Sequence, residues 1–209
     1  MALGSALVGV VDYGIGTWTS VVNMLDSIGV DGESCDDPSQ IDRFSHVILP
    51  GVGNFSVASA RLDTLGWRTA LSSKADSGAP ILGICLGMQL LGIGSSEGEG
   101  EGLSLLNFTS EPLSTDGDLR VPHIGWNTVQ ATSDHEIYTG WTEEFRFYFV
   151  HSFAVSASCP ESIGITKHND PFSSVVAQGN VLGVQFHPEK SHKYGQKLLS
   201  NFAMMSSGT

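Results

Sequence analysis

A cysteine between two glycines is the first feature of this sequence that could carry chemistry. Cys85 follows the apolar run 80–84, with Gly83 two residues before it and Gly87 two residues after it. Glycines on both sides permit a sharp turn from strand to helix, because backbone can approach where no Cβ atom stands. The thiol would then lie at a helix N-terminus, which favours thiolate, and the N–H of Leu86 would point toward an oxyanion. Alone, this pattern fits a nucleophile and a buried structural cysteine equally well.

A histidine and a glutamate two residues apart supply the groups that a cysteine nucleophile needs. His187 precedes Pro188, which pushes it to an extended conformation, and Glu189 then projects to the same side. The carboxylate can bond one ring nitrogen and leave the other to accept a thiol proton. Together with Cys85, these residues predict a Cys–His–Glu triad.

A glycine-containing loop follows another apolar run. It reads Pro50-Gly51-Val52-Gly53, and its glycines free the backbone to present N–H groups to a ligand. We expect Val52 or Gly53 to supply a second oxyanion donor beside Leu86, since a tetrahedral intermediate is held best by two preorganised donors. A simple turn is the alternative.

The elements that must position these residues alternate in the first half of the chain. Apolar, β-branched runs predict strands at 6–11, 46–49 and 80–84, and helical spacing predicts helices at 20–28, 56–71 and 86–91. This order predicts an α/β fold, a mostly parallel sheet flanked by helices, with ligands at the carboxyl ends of its strands.

The second half indicates additional antiparallel strands on the same core and a closing helix. The strands are predicted at 121–129, 146–155, 163–166, 174–177 and 181–186, and the helix at 191–204. Segment 97–102 has glycine at every second position and is predicted to be an exposed, mobile loop. With no linker or repeat in view, we expect a single domain over residues 1–209.

Composition excludes several classes of function. The chain has 209 residues, 41% of them hydrophobic, and a formal net charge of -12, so a surface for nucleic acid or anionic membrane is not expected. Three widely spaced cysteines argue against a disulfide scaffold, and scattered histidines argue against a metal site. Neither a long apolar run nor a basic leader at 1–9 is present, which predicts a cytoplasmic protein.

Six segments extend the motifs across nearly the whole chain. They are residues 11–14, 49–53, 83–89, 122–127, 147–152 and 183–190. Through them the chain resembles the class I (triad) glutamine amidotransferases, and among these the glutaminase subunits of imidazole glycerol phosphate synthase. The resemblance implies a flavodoxin-like fold and, without any cofactor, hydrolysis of L-glutamine to glutamate and ammonia through a thioester on Cys85. The ammonia would pass to a (β/α)8-barrel cyclase of histidine biosynthesis, the partner in a heterodimer.

The resemblance also assigns roles to residues outside the triad. The implied glutamine contacts are Gly53, Gln89, Glu97, Ser152 and Phe153. A carboxylate such as that of Glu97 suits the ammonium group of a free amino acid. The residues implied to face the cyclase are Trp126, Asn127, Tyr148 and Lys190, although Trp126 could instead belong to the core. The local basic patch of Lys190, Lys193 and Lys197 is expected on the same face.

Two departures from the family pattern leave the identity of the partner open. The first loop of the family usually continues Gly-x-Gly-Asn, whereas here Thr17-Trp18 follows Gly16. The family usually has Ser-Glu-Glu where this chain has Ser95-Ser96-Glu97, so the first acid is absent and Glu97 keeps its position. The alternative is a paralogous subunit that supplies ammonia to a sugar amidotransferase of surface-polysaccharide biosynthesis. A silent binding subunit and a cysteine peptidase explain fewer of the motif residues.

Overall fold

The computed structural model describes residues 6–142 and 144–206. Residues 1–5, 143 and 207–209 lie outside it, and with them most of the segment 1–9 on which the expectation about a leader rests. The described strands form one 12-stranded sheet to which both halves of the chain contribute. No helix in the described ranges is both long and apolar enough to span a membrane.

The elements follow one another in a regular order. The strands are β1 (Leu7–Val11), β2 (Asp31–Cys35), β3 (His46–Gly51), β4 (Ile81–Cys85), β5 (Gly94–Ser95), β6 (Thr109–Pro112), β7 (His123–Ala131), β8 (Phe145–His151), β9 (Phe153–Ser156), β10 (Ser162–His168), β11 (Asp170–Gln178) and β12 (Val181–Val184). The α-helices are α1 (Trp18–Ser27), α2 (Phe55–Thr64), α3 (Trp67–Asp76), α4 (Leu86–Leu91) and α5 (His192–Ala203). Short 3₁₀ turns occupy Pro38–Arg43, Glu136–Tyr138 and Pro188–Lys190.

The sheet joins a parallel half to an antiparallel half. Its main path runs β2-β1-β3-β4-β12-β11-β10-β7-β8, with β5, β6 and β9 attached through β11. The strands from β2 to β12 on this path are parallel, and those from β12 to β8 pair antiparallel. The predicted mixed sheet is therefore confirmed. Strand β4, which ends in Cys85, lies directly beside β12, which leads into His187.

Alternating side chains of the parallel strands build two hydrophobic cores, one on each face. Val8 and Val10 of β1 belong to one core, whereas Val11 belongs to the other. Helices α1 and α5 cover the first core, and α2, α3 and α4 cover the second. A strand that is buried on both faces is continuously apolar, which explains the uninterrupted apolar runs of β1, β3 and β4.

Two predicted elements are each divided in two by the structure. The helix predicted at 56–71 is broken by Gly66, whose φ of 79° ends α2 and starts α3. The strand predicted at 146–155 is interrupted at Ser152, so β8 and β9 pair with different neighbours. Residues 56–71 keep apolar helical spacing through the break, which is why periodicity alone joined the two helices.

Segment 97–102 is exposed for most of its length, yet it is tied to the body of the protein. The Ser59 hydroxyl donates to the carbonyl oxygen of Glu101 at 2.7 Å, and the Arg68 guanidinium donates to the carbonyl oxygens of Glu101 and Gly102. The segment is thus exposed as predicted, and α2 and α3 hold its C-terminal end at Glu101 and Gly102.

Candidate active site

The turn that carries Cys85 is a strained strand-to-helix elbow. Cys85 has a φ of 55°, a left-handed value that is unusual for a residue with a side chain. A Cβ atom on Gly87 would lie 1.9 Å from the carbonyl oxygen of Leu49, and one on Gly83 would lie 2.6 Å from the carbonyl oxygen of Gly87. Glycine at both positions is therefore required for the helix to pack this closely on the neighbouring strand.

His187 and Glu189 form a buried pair next to this elbow. The Nδ1 atom of His187 lies 2.7 Å from a carboxylate oxygen of Glu189, and both side chains are 1% exposed. Since a carboxylate can only accept, Nδ1 carries the proton. The His187 backbone N–H donates to the carbonyl oxygen of Tyr148, and the Ser191 hydroxyl donates to the carbonyl oxygen of His187. The imidazole is thus held from its ring and from its backbone.

The electrostatics of this pair favour a charged imidazole beside the sulfur. Burial lowers the pKa of His187, but interactions with the Cys85 side chain and with Glu189 outweigh burial and raise it to about 10. The other ring nitrogen, Nε2, is buried and makes no hydrogen bond to any part of the chain that the structure describes. An imidazolium beside a thiolate is the reactive form of a cysteine nucleophile.

A cavity of about 320 Å³ opens over the sulfur. Its lining residues are Val52, Gly53, Cys85, Leu86, Gln89, Glu97, Pro122, Val150, His151, Ser152, Phe153 and His187. The structure therefore brings together the nucleophile, its base, the proposed oxyanion donors and the proposed glutamine contacts. Glu189 stands behind His187 and outside the lining. The size and mixed lining suit a small polar amino acid.

The proposed oxyanion donors lie where the two motif loops meet. Gly51 pairs with Cys85 in the register of β3 and β4, so the loop after β3 starts beside the sulfur. Gly53 in this loop has a φ of 96°, a conformation that favours glycine. Leu86 is the first residue of α4. Val52, Gly53 and Leu86 all reach the cavity, as two converging N–H donors require.

Two glutamine side chains connect the sulfur to the cavity wall. The Gln185 amide donates to the Cys85 sulfur at 3.7 Å, and the Gln89 amide donates to the Gln185 carbonyl oxygen at 3.2 Å and to the backbone carbonyl of Phe153 at 3.0 Å. Gln89 is thereby fixed in orientation at the wall. Gln185 was absent from the residues selected by sequence, although it lies two positions before His187.

The proposed ammonium ligand, Glu97, is anchored at the rim of the cavity. One of its carboxylate oxygens accepts a hydrogen bond from the Phe55 backbone N–H at 2.8 Å, at the start of α2. Its own N–H donates to the Ser95 hydroxyl. The departure at Ser96 lies outside the cavity lining, since the Ser96 side chain is exposed and donates to the carbonyl oxygen of Ser110.

The four residues expected to face a partner do not share one orientation. Trp126 and Tyr148 oppose each other in β7 and β8, with ring centroids 6.3 Å apart, and Trp126 is 41% exposed. Lys190 is exposed and directly follows the triad residue Glu189 in the chain. The Asn127 side chain instead bonds inward, to His123 and to the carbonyl oxygen of Lys167.

His151 is a cavity residue that sequence reasoning did not select. It lies at the end of β8, where alternate residues Phe147, Phe149 and His151 are buried. That period of two predicts His151 on the same face as the two phenylalanines, so strand alternation was the available signal. Pro122 and Val150 also line the cavity and had no signal of their own.

Comparison with known protein families agrees with this geometry. The family model of the class-I glutamine amidotransferases matches residues 10–205. Solved structures show the same fold: the PurLQS structure from Thermotoga maritima has a TM-score of 0.74 at 18% identity, covering 95% of this chain and 97% of that chain. A glutamine amidotransferase structure has a TM-score of 0.73 at 18% identity, covering 93% and 96%. The chain belongs to the class-I glutamine amidotransferases.

Curated relatives indicate which family within this class the chain belongs to. The chain is 42% identical to imidazole glycerol phosphate synthase subunit HisH of Sulfurimonas denitrificans, covering 94% of this chain and 97% of the relative. It is 39% identical to subunit HisH 2 of Methanococcus maripaludis, covering 94% and 98%, and 40% identical to subunit HisH 2 of Pseudomonas aeruginosa, covering 92% and 96%. Within its class, the chain therefore belongs to the HisH family of imidazole glycerol phosphate synthase subunits.

Proposed function

We propose that this chain is the glutaminase subunit of an imidazole glycerol phosphate synthase, hydrolysing L-glutamine and passing ammonia to a (β/α)8-barrel cyclase in the cytoplasm. The observation that carries the chemistry is the buried His187–Glu189 pair, joined at 2.7 Å, beside a cysteine held at a φ of 55°. The family membership supplies the substrate and the partner.

The first half of the reaction forms a thioester. The Cys85 thiolate, whose proton already lies on Nε2 of His187, attacks the carboxamide carbon of glutamine. The N–H groups of Leu86 and of Val52 or Gly53 stabilise the oxyanion. His187 then gives its proton to the amide nitrogen, the C–N bond breaks and ammonia leaves. Glu189 keeps the proton on Nδ1 throughout, so that Nε2 is the atom that exchanges protons.

The second half releases glutamate. Water attacks the thioester carbon while His187 takes one of its protons, and the C–S bond breaks to release the thiolate beside the protonated His187. No cofactor is needed, because every bond change is a nucleophilic acyl transfer assisted by one base. Glu97 and Gln89 would hold the charged amino-acid end of the substrate away from the sulfur.

An exposed apolar face next to the cavity supports the proposed partner. Ile124 and Trp126 project from the same side of β7 and are 60% and 41% exposed, and Tyr148 of β8 lies opposite Trp126. Exposed aromatic residues in one patch are typical of protein interfaces. Tyr148 also accepts the His187 N–H, so the proposed interface reaches the triad through one backbone hydrogen bond.

Replacing the nucleophile tests the chemistry. We expect Cys85→Ala to abolish glutamate production from glutamine, measured in the presence of the cyclase and its ribonucleotide substrate. The Cys159→Ala variant is the matched control, since Cys159 is also a free cysteine but bonds to Glu161 and does not line the cavity. Glutaminase activity that survives in Cys85→Ala would refute the mechanism. Assembly with a sugar-modifying enzyme instead of the cyclase would refute the partner and favour the paralogous role.

A further inference from the structure

A row of hydrogen-bonded side chains leads from strand β7 to the cavity. The Asn127 amide nitrogen lies 3.2 Å from Nε2 of His123, and Nδ1 of His123 lies 3.0 Å from Nε2 of His151. Nδ1 of His151 lies 2.9 Å from the backbone carbonyl oxygen of Phe153. Both histidines are buried, and neither has a role in the triad chemistry described above.

The Asn127 end of the row fixes its direction. The Asn127 carbonyl oxygen accepts the Thr128 backbone N–H at 2.8 Å, and its amide nitrogen donates to the carbonyl oxygen of Lys167 at 3.0 Å. The amide group cannot be reversed without losing both bonds. Its nitrogen therefore also donates to His123, and Nε2 of His123 must be an acceptor.

The Phe153 end gives the same direction independently. A backbone carbonyl only accepts, so Nδ1 of His151 carries a proton, and Nε2 of the neutral ring is an acceptor. Nδ1 of His123 must then donate to it, which leaves Nε2 of His123 free to accept from Asn127. The two ends require one and the same pair of tautomers, with Nδ1 protonated in both rings.

The row ends on the groups that connect to the nucleophile. The Phe153 carbonyl oxygen also accepts from the Gln89 amide, which donates in turn to Gln185, and the Gln185 amide donates to the Cys85 sulfur. The position of one backbone carbonyl is therefore shared between the histidine row and the two glutamines beside the sulfur. Phe153 and its neighbour Ser152 form part of the cavity wall.

We propose that His123 and His151 are positioning residues that fix the Ser152–Phe153 wall for glutamine binding by acting through the Phe153 carbonyl. The identity of the ligand rests on the proposed function, whereas the row itself does not. The third histidine of the cluster, His168, stacks on His123 with centroids 4.1 Å apart but bonds to the Arg120 carbonyl, outside the row. A metal site does not explain the cluster, since no group of three ligating residues in the described ranges is arranged to hold an ion.

The protonation of the cluster agrees with this role. Burial, together with the neighbouring His151 and His168, lowers the pKa of His123 to about 3. Burial, together with His168 and His187, lowers the pKa of His151 to about 4. Both rings are thus neutral at pH 7, as a row with one direction requires. A proton added to either ring would place two N–H groups against each other.

Paired substitutions separate the hydrogen bond from the volume of the ring. Asparagine places an amide nitrogen where Nδ1 of histidine stands, so His123→Asn and His151→Asn can keep the donor, whereas His123→Phe and His151→Phe cannot. We expect each Phe variant to weaken L-glutamine binding about tenfold and each Asn variant to retain more of it. Binding is measured calorimetrically on the full chain carrying Cys85→Ala, with the cyclase present.

The matched control is His168→Phe, which keeps the stack on His123 and leaves the row intact. It should bind glutamine as tightly as the parent. Iodoacetamide labelling of Cys85 in chains that retain the cysteine should proceed at the same rate in all variants, which shows that the triad is undamaged. Equal glutamine affinity in the parent and the folded Phe variants would overturn the proposal.

A spectroscopic readout tests the row without any ligand. Nitrogen-15 NMR of the full chain should show both His123 and His151 as the Nδ1-protonated tautomer, neutral between pH 6 and 8. A proton on Nε2 of His151 would overturn the proposal whether or not the protein binds glutamine. If the tautomers are as stated but the parent does not bind glutamine, the proposed function fails and the row stands. The positioning role is then measured without ligand: the Phe variants should shift the Phe153 carbonyl resonance, and an unchanged resonance would overturn the proposal.

Discussion

At the residue scale, buried histidines of one protein have opposite pKa shifts because their neighbours differ. Glu189 and Cys85 raise the pKa of His187, whereas burial among phenylalanine rings, carbonyls, amides and other histidines lowers the pKa values of His123 and His151. The first arrangement keeps His187 protonated beside the sulfur. The second keeps His123 and His151 neutral next to the cavity wall.

These opposite shifts predict a pH dependence of stability. His123 and His151 are neutral when folded but bind protons when unfolded, so the free energy of unfolding should fall as pH drops below 6.5. His187, with its raised pKa, loses its contribution only as pH rises from 6.5 toward 10, so the range from pH 5 to 6.5 isolates the other two. Between those values we expect an extra loss of about 3 kcal/mol in the parent relative to the double variant His123→Asn/His151→Asn, about half of it from each histidine.

Urea unfolding at pH 6.5 and pH 5 measures this difference. The buried His46 and the half-buried His135, whose pKa values are also lowered, contribute equally to both proteins and cancel in the comparison. Parallel pH dependences in the parent and the double variant would contradict the prediction.

At the scale of elements, the elbow depends on how closely α4 approaches β3. The position of a Cβ atom on Gly87, 1.9 Å from the Leu49 carbonyl oxygen, leaves no room for any side chain, and the obstructing atom is backbone. Helix and strand would have to separate, and the Cys85 turn would move with the helix.

The elbow can be tested with two alanine substitutions. Gly87→Ala should lower the free energy of unfolding by about 3 kcal/mol or more, because a backbone clash cannot be relieved by side-chain rotation. Gly94→Ala in β5 should cost less than about 1 kcal/mol, since its nearest neighbour would be 3.9 Å from the new Cβ atom. Chemical denaturation measures both. Equal losses of unfolding free energy in the two variants would show that the close approach of α4 to β3 does not limit substitution at Gly87.

Sequence patterns predicted the elements whose side chains are buried and missed those held by backbone bonds. Strand β2 is polar and half-exposed, so no apolar run marks it, yet five of its residues pair with β1. Likewise, the motifs predicted the triad residues because two of them are neighbours in the chain. The row through His123 and His151 joins residues far apart in sequence, and its direction depends on atoms that no periodicity describes.

At the scale of the whole molecule, the net charge and the exposed apolar face indicate which kinds of partner the surface can bind. A formal charge of -12 disfavours phosphate-bearing surfaces, while the patch of Ile124, Trp126 and Tyr148 offers apolar area next to the cavity. Trp126 also stacks on His192 at the start of α5, with ring centroids 5.6 Å apart, so its ring is presented in a fixed orientation. A preorganised exposed tryptophan is typical of an interface anchor.

Truncating this anchor tests the interface. Trp126→Ala should weaken binding of the cyclase at least about tenfold, since buried tryptophans dominate interface energies. Leu65→Ala is the control, because Leu65 has the same exposure, 41%, but lies at the end of α2. Titration calorimetry of the two subunits gives both affinities. An unchanged affinity in Trp126→Ala would remove this face from the proposed interface.

The pairing of β12 with β4 has a consequence for the synthesis and folding of the protein. Gln185 stands 100 residues after Cys85, and both the amide beside the sulfur and the base arrive only when the last strand inserts between β4 and β11. A chain still emerging from the ribosome holds the thiol without its imidazole. Contacts so distant in sequence form late in folding. We therefore expect polypeptides that end before His187 to be inert toward glutamine.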